Sequence, residues 1–99
     1  MITEVALITV KEGSESDFIA GYKAGVPLIQ VTDGYISHTM QQGIESPNRF
    51  VLTIQWESVE AHNVNFRESE RFQEWRSHIG PFMAEPPNVE HFVTVGSHG

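Results

Sequence analysis

Residues 50–82 read FVLTIQWESVEAHNVNFRESERFQEWRSHIGPF, and this stretch decides the fold. With Arg49 in front, RFVLTIQW (49–56) joins β-branched and aromatic residues into the clearest strand of the chain. Ser58 then offers a side-chain oxygen to cap a helix, with Glu60 in its first turn. Val59, His62 and Phe66 fall on one side of that helix. Ser69 is a second candidate cap, for a helix whose apolar stripe is Phe72, Trp75 and Ile79, and Gly80-Pro81 ends it. The stretch holds both tryptophans, four of the six phenylalanines and three of the six cations. A chemical site is expected here before anywhere else.

Towards the N-terminus, Tyr35–Gln42 (YISHTMQQ) alternates as a strand. The polar turn Gly43–Asn48 (GIESPN) joins it to the strand at 49–56, and the two make an antiparallel hairpin. Thr32-Asp33-Gly34 is a helix stop, glycine being able to take the left-handed conformation there. The preceding helix is capped by Ser14 or Ser16, has Glu15 and Asp17 near its positive end, and carries Phe18, Ile19, Tyr22, Val26 and Ile29 as one stripe. Pro27 is expected to kink or restart it, and Gly21 and Gly25 to weaken it. Ile2–Val10 (ITEVALITV) is a nearly continuous apolar run that suits a strand covered on both faces. Beyond residue 82, Glu85-Pro86-Pro87-Asn88 is a rigid connector and Val89–Val95 alternates as a last strand. The tail 96–99 is expected to fray.

The order βαββαβ is the split βαβ, or ferredoxin-like, α+β arrangement: one antiparallel sheet with two helices on one face. A single domain over residues 1–99, with its core at about 2–95, follows from the length, since two cores would each be too small to fold alone. Strands one and three look apolar on both faces while the helices cover one. A second copy of the sheet is the simplest cover, so a homodimer is expected.

Thirteen acids against six cations give a net charge of −7. A field of that sign opposes nucleic acid and anionic lipid. No apolar run approaches the roughly 20 residues that span a bilayer, and Glu4 and Lys11 interrupt any signal-peptide pattern, so a soluble cytoplasmic protein is expected. There is no cysteine, which excludes disulfides, thiolate metal sites and cysteine nucleophiles. No histidines stand at metal-ligand spacing, and neither a nucleotide-binding glycine loop nor a G-x-S-x-G elbow occurs. No metal or other cofactor is expected.

Among the remaining polar residues, Arg76 flanks the Phe72/Trp75/Ile79 stripe. It reads either as a snorkelling arginine on a helix edge or as a cation at a pocket wall that holds a phenolate, enolate or carboxylate. His62 lies on or near a buried stripe, as a general base near neutral pH or as a core histidine satisfied by backbone. Asn65, three residues on, can share its face. His38 and His91 sit mid-strand, where structural roles outnumber chemical ones. His78 pairs with Glu74 as a solvated i, i+4 pair. Phe18, Tyr22, Trp56, Phe66, Phe72 and Trp75 are candidates to line a cavity between helices and sheet, suited to a flat aromatic ligand, or else to be plain core.

QWESVEAH (55–62) followed by FRESERFQEW (66–75), with VPLIQVTDGYISH (26–38) and PNVEHF (87–92), resembles the antibiotic biosynthesis monooxygenase family of dimeric α+β barrels. The resemblance spans about residues 2–95. It implies a homodimer with one pocket per subunit, and cofactor-independent oxidation of an electron-rich aromatic (anthrone, quinol or polyketide-like) by molecular oxygen. On this reading His62 is the base, Asn65 and Arg76 stabilise the oxyanion, and Tyr22, His38, Trp56, Phe66, Phe72 and Trp75 bind substrate. The haem-degrading branch of the family looks for an asparagine on strand one, a tryptophan on the helix after strand three and a histidine one helix later. Here Ala6, Asn65 or Phe66, and Trp75 or Arg76 stand near those places, which argues against haem degradation. The alternatives are a small-aromatic-binding protein without catalysis, or an isomerase or stress protein on the same fold.

Overall fold

The computed structural model describes all 99 residues, Met1–Gly99. Strands β1 (Ile2–Thr9), β2 (Tyr35–Gln42), β3 (Arg49–Trp56) and β4 (Asn88–Phe92) form one antiparallel sheet in the order β2-β3-β1-β4. Helices α1 (Glu15–Gln30) and α2 (Glu70–Ile79) complete the ferredoxin-like α+β arrangement. Strand periodicity of two sets what is buried. Glu4, Ala6 and Ile8 of β1 lie beside Ile54, Leu52 and Phe50 of β3, and all six are buried. Phe18, Ile29, Trp75 and Ile79 supply the helical half of the core. No helix is long and apolar enough to cross a membrane.

The other face of the sheet is open in the single chain. It carries Thr3, Val5, Leu7, Val51, Thr53 and Phe92, and Leu7 and Phe92 are each about half exposed (50% and 48%).

Four local expectations are corrected. Helix α1 runs unbroken through Pro27. The proline sits in the last turn, where its missing N–H frees a single carbonyl, and its own carbonyl still accepts from Val31 N at 3.1 Å. Gly21 and Gly25 are packing positions as much as weak ones: a Cβ on Gly25 would stand 2.7 Å from Trp75 Cε3, and one on Gly21 would strike the His78 carbonyl. Strand β4 stops at Phe92, short of Val95. Phe92 pairs with Thr3, so residues beyond it run out of partner at the start of β1, and Val95 is fully exposed.

The fourth correction concerns the segment after β3. Ser58 Oγ accepts from Ala61 N at 3.1 Å, as a cap should. The turn that follows, Ala61–Phe66, is π-helical, closed by Arg67 N to His62 O at 2.9 Å. Val59 is 40% exposed, so Ala61, His62 and Phe66 make the buried side. Ser69 has no capping bond; its Oγ donates instead to Phe66 O at 2.6 Å. Gly34 takes φ +94°, and a Cβ there would lie 2.5 Å from the Ala61 Cβ. A glycine is therefore needed both for the turn and for seating the π-helical segment on it.

Candidate active site

A cavity of about 830 Å³ lies between the sheet and the chain from His62 to Val89. Its floor is Glu4, Ala6 and Ile8 of β1 with Leu52 and Ile54 of β3. His62, Phe66, Arg67, Phe72, Trp75 and Arg76 supply the opposite wall, and the 83–89 connector the rim. The size and the largely apolar, aromatic lining fit a small organic ligand.

One acid stands in that apolar floor. Glu4 occupies the inward alternation of β1 and is only 5% exposed. Its Oε1 accepts the indole N–H of Trp56 at 2.9 Å, and His62 Nε2 approaches the same oxygen at 3.3 Å. The other ring nitrogen of His62, Nδ1, lies 2.7 Å from Nε2 of His91 on the edge strand β4. Trp56 stacks on His62 with centroids 5.5 Å apart and planes 23° from parallel. A carboxyl, two imidazoles and an indole thus form one connected group running from the cavity floor to the sheet edge.

Burial sets its protonation. It pushes the Glu4 carboxyl up to about 7, against the lesser opposing pull of the Trp56 hydrogen bond and the Arg67 charge. Burial also lowers His62 to about 4, helped by His91 and then Arg67. Between those values the Glu4–His62 pair holds one proton, so the contact joins a neutral imidazole to a carboxyl and is not a standing ion pair. With Glu4 ionised, the Nε2–H of His62 faces it and Nδ1 accepts from His91. With Glu4 protonated, Nε2 faces the acid proton and Nδ1–H donates to His91. One tautomer switch therefore moves a proton between cavity and strand edge. The 3.3 Å contact exceeds the usual N···O optimum of about 2.9 Å, so the ring must tilt for transfer.

Of the residues singled out from the sequence, His62, Phe66, Phe72, Trp75 and Arg76 meet in the cavity wall. Trp56, completely buried, stands behind it. Asn65 does not reach the cavity: it is exposed, and its Nδ2 donates to Asp33 O at 2.9 Å. Phe18 belongs to the core, 4.6 Å from the Phe50 ring. Tyr22 and His38 also lie outside the lining. They belong to a second chain, in which Tyr22 Oη is 2.6 Å from His38 Nε2 and Tyr35 Oη 2.8 Å from Nδ1. Burial lowers His38 and raises Tyr22, the latter with a smaller push from Tyr35. A neutral His38 accepts from one of these phenols and donates to the other.

Sequence reasoning missed Glu4 and Arg67, and favoured a structural role for His91. The signal for Glu4 was available: in ITEVALITV it is the one acid, at the same parity as Ala6, Ile8 and Val10. His91 had no comparable sign, because its partner is 29 residues away and on another element. The nitrogens of His62 and His91 are too close to be two ligands of one ion, and no group of three histidine or acidic side chains is arranged to hold a metal.

The chain is a ferredoxin-like α+β protein with a partly open, aromatic-walled cavity between its sheet and helices. The chain belongs to the antibiotic biosynthesis monooxygenase family, whose model matches residues 1–78. It is 35% identical over 95 residues to the Bacillus subtilis protein YczJ, a match covering 96% of this chain and 100% of that protein. A crystal structure from Bordetella bronchiseptica, described under the same family name, superposes with TM-score 0.92 at 42% identity, over 95% of this chain and 96% of that one. SnoaB, a cofactor-independent oxygenase from Streptomyces nogalater, superposes with TM-score 0.84 at 16% identity, over 97% and 94% of the two chains. That last likeness is one of fold.

Proposed function

We propose that the protein is a cofactor-independent monooxygenase that oxidises an electron-rich aromatic of the anthrone, quinol or polyketide-like class with molecular oxygen. The observation that carries this reading is the Glu4 carboxyl, poised near neutrality in the floor of an aromatic-walled cavity and backed by His62 and His91. Both ring nitrogens of His62 are engaged, so Glu4 takes the substrate proton and His62 relays it. Deprotonation leaves an enolate or phenolate whose negative charge spreads over the aromatic system. The anion gives one electron to oxygen, and the resulting carbon radical and superoxide combine into a peroxide. Loss of water, with the second hydrogen of the reacting carbon, leaves a carbonyl. One oxygen atom enters the product and the other leaves as water, so the CH₂-to-carbonyl step uses all four oxidising equivalents of the oxygen molecule.

Oxygen uptake in the presence of anthrones and hydroquinones, without metal or flavin, tests the reading. The protein is expected to exceed the uncatalysed rate, and Glu4→Gln and His62→Ala to fall towards it. Uptake no faster than the blank across the panel, or full activity in Glu4→Gln, removes it.

The working form is proposed to be a homodimer with the open sheet faces together, supported by the exposure of Leu7 and Phe92 on that face. Sedimentation of the native protein as a monomer at micromolar concentration would rule this out.

A further inference from the structure

Arg67 and Arg76 arrive at the cavity from different elements, one just after the π-helical segment and one on α2. Both lean on the same ring: their guanidinium carbons lie 5.8 and 6.0 Å from the centroid of Phe72. Phe72 is in turn held edge-on against Phe66, with centroids 5.4 Å apart. Neither guanidinium takes part in a hydrogen bond or ion pair within the chain, whereas Arg71 is tied to Thr32 Oγ1 and the Asn65 carbonyl. Two cations without a partner in the chain thus line one cavity and approach one ring, in a chain with thirteen acids and six cations. The acids that share the cavity are Glu4 in its floor and Glu85 on the rim, and neither lies within ion-pair distance of the two arginines.

A planar guanidinium that already rests on an aromatic face offers its N–H edge to an oxyanion, and its fork can hold a carboxylate by two parallel N–H bonds. Phe66, Phe72 and Trp75 provide the surface along which an aromatic ring would lie. We infer that Arg67 and Arg76 form a carboxylate-binding subsite and that the ligand is an aromatic acid of two or three fused rings rather than a neutral polyphenol. This rests on the oxygenase reading only for what happens after binding. With the carboxylate at the arginines, the ring system crosses the cavity and presents its far edge to Glu4.

The test is equilibrium binding by calorimetry under nitrogen, where no turnover occurs, using 6-hydroxy-2-naphthoic acid and its methyl ester on the native full-length protein. The acid is expected to bind about tenfold or more tightly than the ester, less so as sodium chloride is raised. Arg67→Ala and Arg76→Ala are each expected to weaken the acid about tenfold and to leave the ester within about twofold, while Lys-for-Arg exchange recovers part of the loss. Lys23→Ala, on the exposed part of α1, is expected to change neither. Equal affinity for acid and ester, a loss common to both in the arginine variants, or no binding of either overturns the subsite. Both arginines are exposed, so the variants are expected to fold, which melting curves check. Selective binding of the acid with no oxygen uptake would leave the subsite standing and remove the oxygenase.

Discussion

Glu4 and Trp56 sit on adjacent strands, and the indole N–H of one donates to the carboxyl Oε1 of the other at 2.9 Å inside the core. The bond fixes the carboxyl over the cavity floor and supplies its one well-aligned donor. An acid so placed costs stability when charged, and the Trp56 bond offsets part of that cost.

Activity is therefore expected to follow the Glu4 carboxylate. Turnover should rise with pH through about 7, where Glu4 ionises, and level off above it. In Glu4→Gln that limb should disappear with most of the rate. Oxygen-uptake rates from pH 5 to 9 measure both, and a profile flat across pH 7 in the native protein contradicts the assignment.

Folding stability should show two opposed slopes. Glu4 titrates at about 7 when folded against 4.5 for an ordinary carboxyl, so the folded state holds a proton that the unfolded chain releases, and this term weakens the fold as pH rises from about 4.5 to 7. His62 titrates at about 4 against 6.5, so the unfolded chain gains a proton the folded state refuses, and this term weakens the fold as pH falls from about 6.5 to 4. The two largely cancel over the shared window. Relative to the native protein, Glu4→Gln should lose stability on acidification across that window and His62→Phe should lose it on alkalinisation, each by on the order of 2–3 kcal/mol. Urea melts at half-unit pH steps give the difference curves.

Trp56→Phe removes the donor that lowers the Glu4 titration. The acidic limb of activity should move to higher pH, and stability should fall by on the order of 2 kcal/mol from the lost bond and the partly emptied core. The direction of the pH shift is the informative readout, since a purely structural role for Trp56 would lower the rate without moving it.

Gly25→Ala tests the helix–helix contact. A methyl there meets Trp75 at 2.7 Å, so Trp75 or α2 must move. A loss of about 1–3 kcal/mol is expected, with a change in tryptophan fluorescence as the cavity wall shifts. An unchanged melting temperature would mean that α2 slides freely on α1.

The elements were legible because local signals agree with the fold. The strand RFVLTIQW, the Gly34 stop and the Phe72/Trp75/Ile79 stripe each survive in place. Legibility failed where partners decide. Pro27 reads as a break, yet in a last turn held against the sheet and α2 it is tolerated. Val59–Phe66 reads as an α-helical stripe, but the seat of Ala61 on Gly34 and the burial of both Ala61 and Phe66, five residues apart, go with a π turn. Among site residues, the aromatics and Arg76 were visible by helical spacing. Asn65, read as sharing the face of His62, is instead turned out to Asp33.

The sequence alone determined the βαββαβ order and the crowding of aromatic rings into residues 50–82, since periodicity is a property of neighbours along the chain. Tertiary structure alone decided that Glu4, His62 and His91 touch, because their contacts join residues 58 and 29 positions apart. It likewise decided that two arginines share Phe72. The titrations of Glu4 and His62 follow from burial, which arises only when the sheet and helices close over them.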